Sequence, residues 1–207
     1  MAGTVRRCLG TLALAILSMA QTWSSPNWRP VSGLTGDFSD FYTASEVHAL
    51  NRLEFYEHAD DPMLIKIWLE KLCHEPPCAP GPRDIELRAG TAEENFGTRE
   101  ILSAGDDHYI VSIQVCTTDD NDLRRREIKG ARIWTARLEP RGIVNRTGGE
   151  PWEFDRPNCN NHWRERRSCL GNRVVVGLRA YFNDDSPQFN NRRWFTGLEL
   201  QCAQVSG

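Results

Sequence analysis

Six cysteines, Cys73, Cys78, Cys116, Cys159, Cys169 and Cys202, limit what this chain can fold into more than any other feature. The seventh, Cys8, sits in a stretch with the marks of an export signal. Arg6 and Arg7 give a positive start, Leu9 to Leu17 a short apolar core, and Ser18-Met19-Ala20 a small-x-small cleavage site. Residues 1–20 are therefore the expected signal peptide and Gln21 the expected mature N-terminus. The apolar run is shorter than the roughly 20 residues that span a bilayer. No later stretch approaches that length, so no transmembrane segment is expected after cleavage. An even set of cysteines in an exported chain reads as three disulfides, with fifteen connectivities open to it. Cys73 and Cys78 flank a Pro-rich turn that suits a bridge. Asn145-Arg146-Thr147 is a glycosylation sequon in a Gly-rich stretch, expected on an exposed loop. These features together predict a secreted, extracellular glycoprotein.

The formal net charge is −3, and loss of Arg6 and Arg7 makes it −5. Such a chain has no strongly basic surface, which argues against nucleic acid as a partner. Residues 21–82 read as an irregular lead-in, a helical hairpin and a Pro-rich linker. Thr43 and Glu46 suit a capping box, and Val47, Leu50 and Leu53 recur at helical spacing, which predicts a helix over Thr43–His58. Asp61-Pro62 suits the start of a second helix over Met63–Leu72. Four prolines and a glycine between Cys73 and Pro82 end it.

From residue 83 to 207 the pattern is that of a disulfide-bonded β domain. Short apolar runs at Ile85–Leu87, Tyr109–Val115, Ala131–Leu138, Val174–Ala180 and Trp194–Leu200 are separated by Gly, Asn, Asp and Ser. Two of these units resemble each other. Val111–Val115 leading to Asp119-Asp120 matches Val176–Ala180 leading to Asp184-Asp185, 65 residues on. The return strands match at Gly130 and Gly197, 67 residues apart. A fixed offset of this kind predicts an internal structural repeat.

The stretch Cys169-Leu170-Gly171-Asn172-Arg173-Val174-Val175-Val176-Gly177-Leu178-Arg179, with its return Phe195-Thr196-Gly197-Leu198-Glu199-Leu200-Gln201-Cys202, resembles one module of the vitelline membrane outer layer protein I family. A second, weaker resemblance, through the Val-x-Gly strand and Arg193-Trp194, is to dermatopontin-like matrix proteins. The first resemblance implies a β-prism, shared in outline with jacalin-type lectins. The predicted fold class is accordingly mainly β, with prism-like or sandwich-like antiparallel sheets and a short N-terminal helical segment. Both resemblances imply an extracellular matrix, coat or defence setting, with carbohydrate contact. The leading expectation is a secreted, non-enzymatic, lectin-like protein that binds extracellular glycan or matrix. The alternatives are a structural coat protein without a ligand site, or a membrane-active defence protein using Thr43–Leu72.

For the ligand surface, sugar sites pair an aromatic face with a few directed polar groups. The polar loop Gly149–Arg167 offers Trp152, Asn161, Trp163 and Arg164 in that role, whereas Trp134 and Trp194 fall on strands and read as core. Asp119-Asp120-Asn121-Asp122 and Asn183-Asp184-Asp185 carry oxygen ligands of the kind calcium takes, but Asn and Asp are also ordinary turn residues, and the turn reading is preferred. Arg124–Arg126, Arg164 with Arg166 and Arg167, and Arg192-Arg193 read as solvated loops. The histidines are scattered, no nucleophile elbow or phosphate loop occurs, and no catalytic residue, metal or cofactor is assigned.

Overall fold

The computed structural model describes residues 21–206 apart from 59–60, 75–77, 89–95, 120–125, 147–148, 160–161 and 185–192. The expected signal peptide lies outside the described residues. Strands run in chain order as β1 (Thr22–Trp28), β2 (Ser32–Gly33), β3 (Phe38–Thr43), β4 (His48–His58), β5 (Asp61–Lys71), β6 (Ile85–Arg88) and β7 (Thr98–Ser103). They continue as β8 (His108–Thr117), β9 (Ile128–Glu139), β10 (Ile143–Asn145), β11 (Trp152–Asp155), β12 (Arg167–Ser168), β13 (Arg173–Asp184) and β14 (Arg193–Ser206).

Three antiparallel sheets result, each built on one long hairpin. Sheet I has the order β6-β5-β4-β7. Sheet II is β10-β9-β8-β12, with β11 also on β9. Sheet III is β1-β14-β13-β3, with β2 also on β14. The N-terminal strands therefore close the sheet of the C-terminal hairpin.

The three hairpins share a register irregularity. Asn51, Val111 and Val176 are each bulged out of the pairing. A bulge resets the two-residue alternation. It places Leu50 and Leu53, Ile110 and Ile113, and Val175 and Leu178 on the inward face although they stand three residues apart. Phe55, Val115 and Ala180 then follow two residues on, and all of these side chains lie in one buried core. Each bulged carbonyl accepts a hydrogen bond from a neighbouring segment: Asn51 from Ala104 N at 2.8 Å, Val111 from Cys169 N at 2.8 Å, and Val176 from Ala44 N at 2.7 Å. A second irregularity leaves Met63, Lys129 and Thr196 unmatched on the return strands. The protein is thus a threefold internal repeat. Its second and third units have the 65-residue offset seen between Val111 and Val176.

The glycines of the return strands have a steric reason. A Cβ on Gly130 would lie 2.8 Å from Phe154 O, and one on Gly197 2.4 Å from Leu34 O. Neither position has room for a side chain.

The helical hairpin expected over Thr43–His58 and Met63–Leu72 is not formed: these residues are β4 and β5, the first unit of the repeat. The three-residue spacing of Leu50 and Leu53 comes from the bulge at Asn51 and not from a helical period. The reading of Thr43–Leu72 as an amphipathic membrane-contacting helix goes with it. Residues 21–82 also do not form a separate unit, since β5 pairs with β6 and both β1 and β3 join the C-terminal hairpin. No helix among the described residues is long and apolar enough to cross a membrane.

The six cysteines pair in sequence order, Cys73–Cys78, Cys116–Cys159 and Cys169–Cys202. The second ties β8 to the turn at Pro157–Cys159. The third joins the segment after β12 to β14, fastening sheet II to sheet III.

Candidate functional site

Among the described residues, the cavity that stands out is a cleft of about 290 Å³ where the inner strands β4 and β5 of sheet I meet the Pro-rich segment and the turn after β7. Asn51, Arg52, Trp68 and Glu70 come from the hairpin. Arg83 and Pro80 come from the segment following the Cys73–Cys78 bridge, and Ser103, Gly105 and Asp106 from the end of β7 and the turn after it. The cleft wall is fixed by backbone. Lys71 N donates to Ala79 O at 2.9 Å, Gly81 N to Leu69 O at 3.0 Å and Leu69 N to Pro82 O at 3.2 Å. The buried Tyr109 hydroxyl adds a pin, donating to Lys71 O at 2.7 Å and accepting from Cys73 N at 3.1 Å. Burial pushes that phenol up.

Comparing the three repeats shows why the cleft sits here. The bulged residue is Asn51 in the first unit but Val111 and Val176 in the others. One rung further along, Ala49 opposes Glu70, where the other units pair Tyr109 with Ala136 and Val174 with Ala203. Those Val and Ala side chains belong to an apolar cluster. Two polar groups in the first unit thus occupy places that the fold fills elsewhere with hydrocarbon. Burying polar groups costs free energy unless they are well paired; the Asn51 amide is so paired, whereas Glu70 has one oxygen engaged.

Asn51 Nδ2 donates to Glu70 Oε2 at 2.8 Å, to Gly105 O at 2.7 Å and to His108 O at 3.0 Å. It holds the carboxylate against the turn. Burial first, then the Asp106 and Asp107 carboxylates, push the Glu70 carboxyl up to about 7, against the pull of Arg83 and His108. Trp68 faces outward beside it. The guanidinium carbons of Arg52 and Arg83 lie 4.6 and 5.4 Å from its ring centroid. Its Nε1 is buried without a hydrogen-bond partner among the described residues. Arg52 is itself committed to Glu54, a buried carboxylate that also accepts from Tyr56 OH at 2.8 Å.

A raised carboxyl makes a directional prediction. Ionised Glu70 is disfavoured in the folded state. Its destabilising effect is absent below the ordinary carboxylate range and complete above about pH 7. Glu70→Gln keeps an acceptor for Asn51. It is expected to leave the unfolding free energy unchanged at pH 4 and to raise it by about 1 kcal/mol at pH 8, discounted for a half-exposed group. Denaturant titrations at the two pH values check this, and an equal effect at both would contradict it.

Of the described residues singled out from sequence, Trp152 stands on a different strand from Trp163 and Arg164. Trp152 is 57% exposed on β11. Trp163 and Arg164 lie on the other side of β9 and β8, since Trp163 bridges to Cys116. Three interstrand spacings, about 14 Å, separate the two places. One face of Trp163 is covered: the Arg132 guanidinium carbon lies 3.7 Å from its ring centroid, and Arg132 also pairs with Glu153. Arg164 Nε donates to Thr117 Oγ1 at 2.6 Å. Asn161 lies outside the described residues, as do Asp120, Asn121, Asp122 and Asp185. In the two acidic loops, Asp119 stands 3.4 Å from His162 Nε2, and Asn183 Oδ1 accepts from Asp37 N at 2.8 Å. No group of three metal-ligating side chains occurs among the described residues. Asn145 is on the edge strand β10, its Nδ2 donating to Glu139 Oε1 at 3.2 Å. Asn51, Trp68 and Glu70 are hidden as site residues while their strands read as helices, and Arg83 and Asp106 carry no signal of their own in the sequence. Alignment of the three repeats is the signal that marks Asn51 and Glu70.

No protein-family model matches the chain, and no curated protein matches it in sequence. Solved structures do. Calsepa lectin in complex with a biantennary N-glycan is similar at a TM-score of 0.50 and 13% identity, covering 86% of this chain and 97% of that one. The agglutinin of Calystegia sepium gives 0.48 and 12%, covering 85% and 95%. Single-chain recombinant jacalin gives 0.46 and 9%, covering 87% and 95%. Three antiparallel sheets, each on a bulged hairpin and closed by both ends of the chain, give this protein the β-prism fold of the jacalin-related lectins.

Proposed function

We propose that this is a secreted, non-enzymatic, lectin-like protein that binds an extracellular glycan or matrix component through the cleft around Trp68. The observation that carries the reading is the cleft itself. It sets an aromatic ring beside Asn51, Glu70, Arg83 and Asp106, at the place where the first repeat gives up the apolar residues of the other two. Sugar recognition needs that combination of a flat apolar surface and few, fixed polar groups. The solved neighbour at a TM-score of 0.50 holds an N-glycan, which favours the same ligand class. Three disulfides fit an oxidising compartment. A coat or matrix setting, implied by the resemblance of Cys169–Cys202 to the vitelline membrane outer layer protein I module, and glycosylation at Asn145 are part of the proposal.

A competing location has one observation in its favour, the exposure of Trp152. A glycan array of the oxidised protein, run with calcium and with chelator, tests the class of ligand. Trp68→Ala and Trp152→Ala test the place. Trp68→Ala is expected to weaken binding about tenfold or more with thermal stability little changed, as loss of an aromatic contact surface does. Loss with Trp152→Ala alone would move the site to β11. A blank array in both conditions would favour a structural coat protein.

A further inference from the structure

We propose that the cleft around Trp68 selects an uncharged sugar and releases it on acidification, because the acceptors it leaves open are the carboxylates of Glu70 and Asp106. This rests on the glycan reading above and adds the ligand's charge and the proton linkage.

The protein itself already uses several of the donors and acceptors in the cleft. Asn51 spends its amide on Glu70 Oε2, Gly105 O and His108 O. Arg52 gives Nη2 to Glu54, and its Nε is buried without a hydrogen-bond partner among the described residues. Glu70 Oε1 and the Asp106 carboxylate have no hydrogen-bond partner among the described residues, and both line the cleft. Arg83 forms no ion pair there and lies over Trp68. What is left is two anionic acceptors, one cation, and the Nε of Arg52 and Nε1 of Trp68 as donors without a partner among the described residues, the Trp68 ring itself lying under both guanidiniums. A pyranose meets this demand: its hydroxyls donate to the two carboxylates and accept from the unpaired nitrogens. A carboxylate or sulfate on the sugar would instead face two like charges against one opposite charge, in a place half shielded from water.

The titratable groups around Glu70 come from several elements. Lys71 is next to it on β5. Arg52 and His48 come from β4, Asp106, Asp107 and His108 from the turn before and the start of β8, and Arg83 from the Pro-rich wall. Asp107 is paired with Arg137 and His108, and His48 Nδ1 is bonded to Ser45 Oγ at 2.7 Å. Glu70 is the group in the cleft that takes up a proton near neutrality, since burial and its two acidic neighbours hold its carboxyl high. Protonation turns a charged acceptor into a hydroxyl, and a hydrogen bond to a neutral carboxyl is the weaker one.

Titration calorimetry with methyl gluco-, galacto- and mannopyranoside and with the matching hexuronates, at pH 8 and pH 5.5, tests this. The best uncharged sugar is expected to bind about tenfold tighter at pH 8 than at pH 5.5, and about tenfold tighter than its uronate. Glu70→Gln should flatten the pH profile while leaving binding dependent on Trp68, and Asp106→Asn should narrow the gap to the uronate. Equal or tighter binding of a uronate would overturn the selectivity. A pH profile unchanged in Glu70→Gln would overturn the proton linkage, assigning it to a histidine. No binding of any of these sugars, together with a blank glycan array, would overturn the glycan reading and this inference with it.

Discussion

Replacing Arg156 by alanine is expected to destabilise the protein by about 3–5 kcal/mol, the cost of removing the guanidinium paired with a buried carboxylate. Arg156 follows β11 on sheet II and reaches across to sheet I. Its Nε and Nη2 donate to Glu57 Oε2 at 2.9 and 2.6 Å, and Nη2 also donates to Glu100 Oε1 at 2.6 Å. The Glu57 side chain is 0% exposed, whereas Glu100 keeps 30% and can turn to water. Most of the loss therefore comes from Glu57. The double variant Arg156→Ala/Glu57→Gln removes the stranded charge and should regain part of the loss. Urea titrations of the variants check this, and a single-variant loss below about 1 kcal/mol would show that water reaches Glu57.

Removal of the Cys116–Cys159 bridge by paired alanine substitution is expected to cost about 4 kcal/mol on the chain-entropy account, its two ends standing 43 residues apart. Both cysteines are buried, and the bridge holds the turn from which Arg156 and Trp163 project. The Cys73–Cys78 bridge closes a separation of only 5 residues, and its loss is expected to cost about 2 kcal/mol. That bridge anchors the cleft wall, however, so its loss should weaken ligand binding more than its effect on stability suggests. Melting curves beside binding curves separate the two effects.

The strands of the second and third hairpins were legible in the sequence because alternation is clean after each bulge. Val111–Val115 and Val176–Ala180 read correctly, as did Ala131–Leu138. The offset between them gave the repeat. The first hairpin was not legible, for a specific reason. Its bulge at Asn51 sets Leu50 and Leu53 three apart, and Thr43 with Glu46 imitates a helix cap. The other marks of the repeat are missing, since Leu64 stands where the later units have Gly130 and Gly197. The pattern of inward residues at Leu50, Leu53 and Phe55 recurs at Ile110, Ile113 and Val115 and again at Val175, Leu178 and Ala180. Spacing of that kind belongs to a bulged strand, and a two-residue or helical period alone does not find it. The site was lost with the hairpin. Trp152 and Trp163 stand out in the sequence because they sit in a polar loop, while Trp68 falls within the helix expected over Met63–Leu72.

Polar residues at symmetry-related core positions are the strongest sign that one repeat has been given a task the others lack. In the first repeat, Asn51 and Glu70 replace a Val–Ala pair that the fold uses twice. Glu70 carries the cost as a raised carboxyl, and beside it Trp68, at the position Trp134 holds in the second repeat, has an indole nitrogen without a partner among the described residues. Both are features that a bound polar ligand would relieve.

The measurement that bears most directly on this account is a titration of the ¹⁵N-labelled protein with a biantennary N-glycan at pH 8, following the indole Nε1–H resonances assigned by single Trp→Phe variants. The Trp68 signal is predicted to shift with saturation while the Trp152 and Trp163 signals hold still. Shifts confined to Trp152 or Trp163, with Trp68 unmoved at saturation, would contradict the assignment of the cleft as the ligand site.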